Sequence, residues 1–232
     1  MNRLTDRLKD ILVYPARFYE SLTDRIATLI AGVVMIGVVD FLLPDINDKF
    51  KLLFYGKPMD DLLYNIFMSV FAVLLLGFID AVFMCLPLYD IFKYLKKKEL
   101  IMSEEDEGGN YTSFSPRSES GTPIEHDATL IKLIKVYVMS HFIIIPVQTA
   151  LNYILLRNIT DNSPAWMQNL ALILLMAIFV WFAAIITRGI NVLFRLNPVF
   201  RRLTFIIVFT WNFILNMVFA TQIVNWVQKL FR

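Results

Sequence analysis

The chain reads as an all-α, polytopic membrane helix bundle with five transmembrane helices, and three observations predict it. Five apolar stretches, Ile26 to Leu43, Leu62 to Phe92, Val136 to Leu156, Ala165 to Thr187 and Leu203 to Val227, approach or exceed the roughly 18 to 20 residues that cross hydrocarbon. The last two hold no charged residue, which a water-facing helix cannot do because one of its faces must be solvated. The composition, 57% hydrophobic with 20 Phe and 18% charged, lies outside the range of ordinary soluble domains.

Before the first span, Leu4, Leu8, Ile11 and Leu12 recur at helical spacing while Arg3, Arg7, Lys9 and Asp10 take the opposite face. Residues 1–25 are therefore expected to form amphipathic helices on the inner membrane surface. Pro15 suits the first position of a second short helix, Pro15 to Leu22, that buries Phe18 and Leu22. No small-residue cleavage site follows Ile26 to Leu43, so this stretch reads as a signal anchor. The second stretch runs apolar for 31 residues, Leu62 to Phe92, about 46 Å of helix at 1.5 Å per residue, which exceeds the roughly 30 Å of hydrocarbon. A kink is expected at Pro87, which clashes with the carbonyl of Phe83, and the helix should project through Tyr94 to Lys96, Lys97 and Lys98. Residues 99–128 carry eight acidic residues against Arg117 alone, with Gly108-Gly109 and Ser115-Pro116, and read as a disordered acidic loop. Ser115-Pro116-Arg117 and Thr122-Pro123 are either plain linker or proline-directed phosphorylation sites. Asn158-Ile159-Thr160 forms a glycosylation sequon hard against the third span. Ser163-Pro164 and Asn197-Pro198 each pair an N-cap residue with a proline suited to the first helical position, marking the starts of the fourth and fifth spans.

Orientation follows from lysine and arginine, which collect on cytoplasmic flanks. Sixteen of the 22 fall before span one, between spans two and three, and between spans four and five; six fall on the other side. The N-terminus is placed inside and the C-terminus outside. Trp166, Trp226, Tyr14, Tyr19 and Tyr153 fall near predicted boundaries and suit an aromatic belt.

An ionisable group in hydrocarbon is a functional candidate, because its charge is costly unless paired, hydrated or neutralised. Asp80 lies thirteen residues from Lys93, roughly 20 Å from the inner edge of the bilayer; His141, six residues from Lys135, lies about 9 Å in. A tilted or kinked helix brings the two together. A proton or cation pathway needs further polar residues in line, and Gln148, Asn152, Asn212, Asn216 and Gln222 are available; as plain interhelical hydrogen bonds they would contribute about 1 kcal/mol each. Asn212 and Asn216, with Thr204 and Ala220, share one face of span five. Asp40 and Asp90, near span ends, reach the interface and carry little functional weight.

No zinc-protease, nucleophile-elbow, Walker or dinucleotide motif occurs, so no enzyme chemistry and no cofactor is expected. One cysteine, Cys85, and two histidines supply too few ligands for a conventional zinc site. Glu104 to Glu107 lacks the spaced pattern of a calcium loop. The basic residues line membrane edges rather than a stacking patch, which argues against nucleic acid as a partner.

Tyr14-Pro15-Ala16-Arg17-Phe18-Tyr19-Glu20-Ser21-Leu22, followed by five spans, resembles the Yip-domain family in its prokaryotic form. The aspartate-leucine-tyrosine-glycine-proline motif of eukaryotic members is missing, and with it their basis for binding trafficking GTPases. The resemblance implies a non-enzymatic adaptor or scaffold in the cell membrane of a prokaryote, or the ER or Golgi membrane of a eukaryote. Such a protein engages the lipid bilayer, membrane or cytosolic proteins at its inner face, and further copies of itself. The rival reading is a small-solute, ion or proton transporter or channel built on Asp80, with Pro87 and Pro146 interrupting two successive spans around a midplane site.

Overall fold

The computed structural model describes residues 19, 22, 26–42, 62–107, 129–154, 159, 163–223, 225, 226 and 229. Five α-helices follow in order: α1 (Ile26–Leu42), α2 (Leu62–Glu107), α3 (Leu130–Ile154), α4 (Ala165–Phe194) and α5 (Pro198–Val218). α5 ends in a π-type turn, Phe219–Ile223, and no strand occurs among the described residues. Four of the helices, α2 to α5, are long and apolar enough to cross a membrane, as in a multi-pass integral membrane protein. α1, with 17 residues, is shorter. The expected interfacial helices, the Tyr14 to Leu22 motif, the loop residues 108–128 and the Asn158-Ile159-Thr160 sequon lie outside the described residues, except for Tyr19, Leu22 and Ile159.

The helices pack with their side chains turned outward as well as inward: Phe67, Phe78, Ile173 and Ile206 are each more than half exposed. That is the pattern of a bundle whose outer solvent is hydrocarbon rather than water. The buried seam runs through Ile36, Met84, Leu88, Phe92, Leu133, Ile186, Ile190 and Val208. Close helix approach is set by glycine. A Cβ on Gly37 would fall inside the carbonyl oxygen of Val73, and one on Gly77 would lie 2.6 Å from the backbone nitrogen of Gly37. α1 and α2 therefore touch backbone to backbone, the arrangement small residues permit where no water drives association. Gly32 and Gly189 seat the side chains of Val138 and Val136 in the same manner.

α2 departs from the expected boundaries. It continues past Phe92 to Glu107, so residues 99–107 are helical rather than part of a disordered loop. Between Pro87 and Gly108 there is neither glycine nor proline, and the helix stops where the Gly108-Gly109 pair begins. Its 46 residues amount to about 69 Å. Neither Pro87 nor Pro146 breaks its helix. Pro87 lacks the N–H that would bond the carbonyl of Phe83, and the indole N–H of Trp211 on α5 donates to that carbonyl at 3.1 Å instead.

The basic end of the bundle is closed by backbone capping. Lys96 Nζ pairs with Glu99 Oε1 at 3.3 Å and donates to the carbonyl of Arg195 at 3.1 Å, tying α2 to the α4–α5 connection. Arg195 ends α4 in the left-handed region (φ 46°), and Arg201 Nε donates to the carbonyl of Leu196 at 2.8 Å. α5 begins at Pro198 with Asn197 at its cap, as the Asn-Pro pair predicts, although the asparagine side chain makes no capping bond. At α4, Pro164 rather than Ser163 occupies the cap. Trp166 and Trp226 are exposed, whereas Tyr19 is 1% exposed and packs with Val136, Ile143, Ile144 and Ile185. Burial pushes its phenol up to about 12, against smaller opposing pulls from Ser140 and Arg188. Tyr19 is thus a neutral side chain seated against α3 and α4.

Candidate functional site

Several polar residues of α1, α3 and α5 line one region that α4 also borders. Asp80 is buried on α2, and its Oδ2 accepts a 2.6 Å hydrogen bond from the hydroxyl of Tyr137 on α3. One turn further along α3, His141 sets its ring edge to face with Tyr137, centroids 4.4 Å apart, and places Nδ1 3.1 Å from the carbonyl of Tyr137. Asp80 and His141 are thus linked through Tyr137, which stands between them, and not by the direct pairing that helix tilt was expected to allow. Tyr137 was missed in the sequence because it sits inside an apolar run. Its signal is general: a tyrosine hydroxyl buried in a span needs a partner.

Asp40 is the second correction. It does not reach an interface but lies buried, 8% exposed, two residues from the described end of α1. Like Asp80, it is a buried carboxyl. Among the described residues neither carboxyl has a lysine or arginine partner, and Oδ2 of Asp40 accepts no hydrogen bond. A buried oxygen left in this state is costly unless a proton or a cation satisfies it. Asp90, by contrast, is exposed on α2.

Asp40, His141, Gln148 and Asn216 line a cavity of about 450 Å³. Asp40 is the only formally charged residue among its described lining. Phe179, Phe182 and Phe213 supply aromatic walls: the Phe179 and Phe213 rings are 6.2 Å apart at 79°, and His141 meets Phe182 at 4.8 Å and 79°. Asn216 donates to Oδ1 and to the carbonyl of Asn212, its neighbour one turn back on α5. Asn212 is buried, and its Nδ2 makes no hydrogen bond among the described residues. Of the six residues singled out from sequence, His141, Gln148 and Asn216 therefore line the cavity, whereas Asn212 bonds to the lining residue Asn216 and Asp80 to Tyr137, which contacts His141. Asn152 lies on α3, with its side chain outside the described residues. Gln148 sits six residues from the end of α3, and Leu175 ten residues from the start of α4. The cavity accordingly lies toward the end of the bundle that carries the α3–α4 connection, away from the Lys96 collar.

The arrangement can hold a small, positively charged or proton-donating guest between a carboxylate, two amides, an imidazole and a set of perpendicular rings. It offers no assembled nucleophile and base, and no group of three metal-ligating side chains occurs among the described residues. No protein-family model, no curated protein and no solved structure matches the chain.

Proposed function

We propose that the protein is a multi-pass membrane protein that binds a small cationic solute or a proton inside its helix bundle and passes it across the bilayer. The observation that carries this reading is the convergence of Asp40, His141 and Gln148, from α1 and α3, and Asn216, from α5, on a single cavity backed by the Asp80–Tyr137 pair. Hydrogen bonds serving only to hold helices together would be scattered pairwise along the contacts. Instead Asn216 bonds within its own helix, and Asp40 leaves an oxygen without a partner. In this reading α1 counts as a fifth span, locked to α2 through Gly37 and Gly77, the N-terminus is inside and the C-terminus outside, and the cavity lies in the outer half of the membrane.

The test is flux through liposomes containing the purified chain. Asp40→Asn should reduce cation- or proton-coupled flux by about tenfold or more while the protein still elutes as a single species, because the substitution removes the site's charge and little volume. Unchanged flux in that variant would remove the reading.

A second reading is favoured by α2. At about 69 Å it is more than twice as long as the roughly 30 Å hydrocarbon layer, and beyond the lysines at 96–98 it exposes Leu100, Ile101 and Met102. This projecting stem suits a non-enzymatic adaptor of the Yip-domain type, in which the inner face engages a protein partner. Recovery of a stoichiometric partner crosslinked to the stem, from a protein without flux, would favour it.

A further inference from the structure

We infer that the guest of the cavity is an organic cation with an apolar body, a lipophilic ammonium, rather than an inorganic ion or a neutral amphiphile. This rests on the solute-binding reading above and deepens it. Three features select the class. Asp40 is the single formal charge on the described lining, and its free Oδ2 supplies the counter-charge for a cation. Apart from His141, Gln148 and Asn216, the rest of the wall is apolar and aromatic, and it includes Met176, Met217, Phe179 and Phe213. A bare Na⁺ or K⁺ exchanges its water for a shell of several oxygens, of which the side chains of the lining, one carboxyl and two amides, supply only part. The volume, about 450 Å³, falls within the roughly 300–1,000 Å³ of small-molecule sites and is far larger than a proton or a metal ion requires.

The ring geometry points the same way. Phe179 and Phe213 stand nearly perpendicular, as do His141 and Phe182, so the rings that line the cavity lie in more than one plane. Ring faces carry partial negative charge, and walls set at right angles surround an ammonium better than a flat aryl stack does. A lining that joins one carboxyl to methionines and phenylalanines suits an amphiphile's two halves. Carboxylate and π faces together discriminate against anions. A site for a lipid tail would have no use for a buried carboxyl.

The experiment uses the full chain purified into nanodiscs and equilibrium dialysis with radiolabelled benzyltrimethylammonium, whose charge is permanent and cannot be lost to pH. The probe should bind saturably, one per chain. Its uncharged carbon isostere, neopentylbenzene, should compete at least about thirtyfold less well, and phenylmethanesulfonate not at all. Asp40→Asn should weaken binding about tenfold or more, and Phe179→Leu, which keeps apolar bulk but removes the ring face, by about tenfold. Equal competition by neopentylbenzene, or unchanged binding in Phe179→Leu, would overturn the assignment in favour of a neutral amphiphile. Absence of benzyltrimethylammonium binding alongside Asp40-dependent flux of protons or inorganic cations would overturn it and leave the transport reading standing. Absence of both would remove the two together. Should Asp40→Asn not assemble, the comparison of the charged probe with its isostere on the unaltered chain decides alone.

Discussion

Replacing Gly77 with leucine is expected to abolish assembly of the bundle. A single Cβ at this position already meets the carbonyl of Val33 and lies 2.6 Å and 2.9 Å from the nitrogen and Cα of Gly37, all of them backbone atoms. A flexible side chain yields to an intruding methyl at a cost of about 1–3 kcal/mol, whereas backbone can yield only if the helices move apart. Separating α1 from α2 also undoes the packing of Ile36 in the shared core, so the total should exceed roughly 3 kcal/mol, a large part of a domain's stability. The measurement is the fraction of monodisperse protein after detergent extraction, with the midpoint of SDS-induced unfolding for variants that survive. The order of damage is also expected. Gly77→Ala and Gly37→Ala should cost more than Gly32→Ala, which meets only the side chain of Val138. A Gly77→Leu protein that elutes and unfolds like the parent would show that α1 and α2 do not touch as described.

Tyr137→Phe should destabilise the bundle by roughly 2 kcal/mol, because it leaves the buried Asp80 carboxyl without its described hydrogen-bond donor. Intramembrane hydrogen bonds average well below this, about 0.6 kcal/mol, because the separated helices find other partners. The larger value is expected here because the bond is short, 2.6 Å, and the acceptor is a carboxyl group. A double-mutant cycle with Asp80→Leu isolates the pair. With leucine at position 80, Tyr137→Phe should cost little, giving a coupling energy above about 1 kcal/mol. Additive effects in SDS unfolding would show that the contact contributes nothing of its own.

Which parts of this were readable beforehand follows from the physics of each residue. The long spans were readable because uncharged runs such as Ala165 to Thr187 have no other stable environment. The extension of α2 to Glu107 was obscured by its acidic composition, which resembles a solvated loop; the better guide was the absence of glycine and proline before Gly108. Asp80, His141, Gln148 and Asn216 were found by asking which polar groups lie in hydrocarbon. Asp40 was discounted because distance from a span end was used as a measure of depth. Two residues of sequence separation say nothing of what neighbouring helices cover, and Asp40 shares its cavity with residues of α3, α4 and α5. Gly37 and Gly77 were in view as glycines within apolar runs, but with no second glycine at a four-residue interval the pairing of two different helices could only be seen in three dimensions.

The central claim is that the Asp40 cavity admits water and small cations within the membrane. Substituted-cysteine accessibility tests it most directly, because the native Cys85 is buried and is expected to be silent. Gln148→Cys and Asn216→Cys, which replace cavity-lining side chains, are compared with Val147→Cys, which faces outward on α3. In sealed vesicles, the trimethylammonium-bearing methanethiosulfonate should modify the two cavity positions. It should do so about tenfold faster than the sulfonate-bearing reagent, drawn by the Asp40 charge, and leave Val147→Cys unmodified. Equal inertness at all three positions, or faster reaction with the anionic reagent, would contradict a cation-accessible cavity.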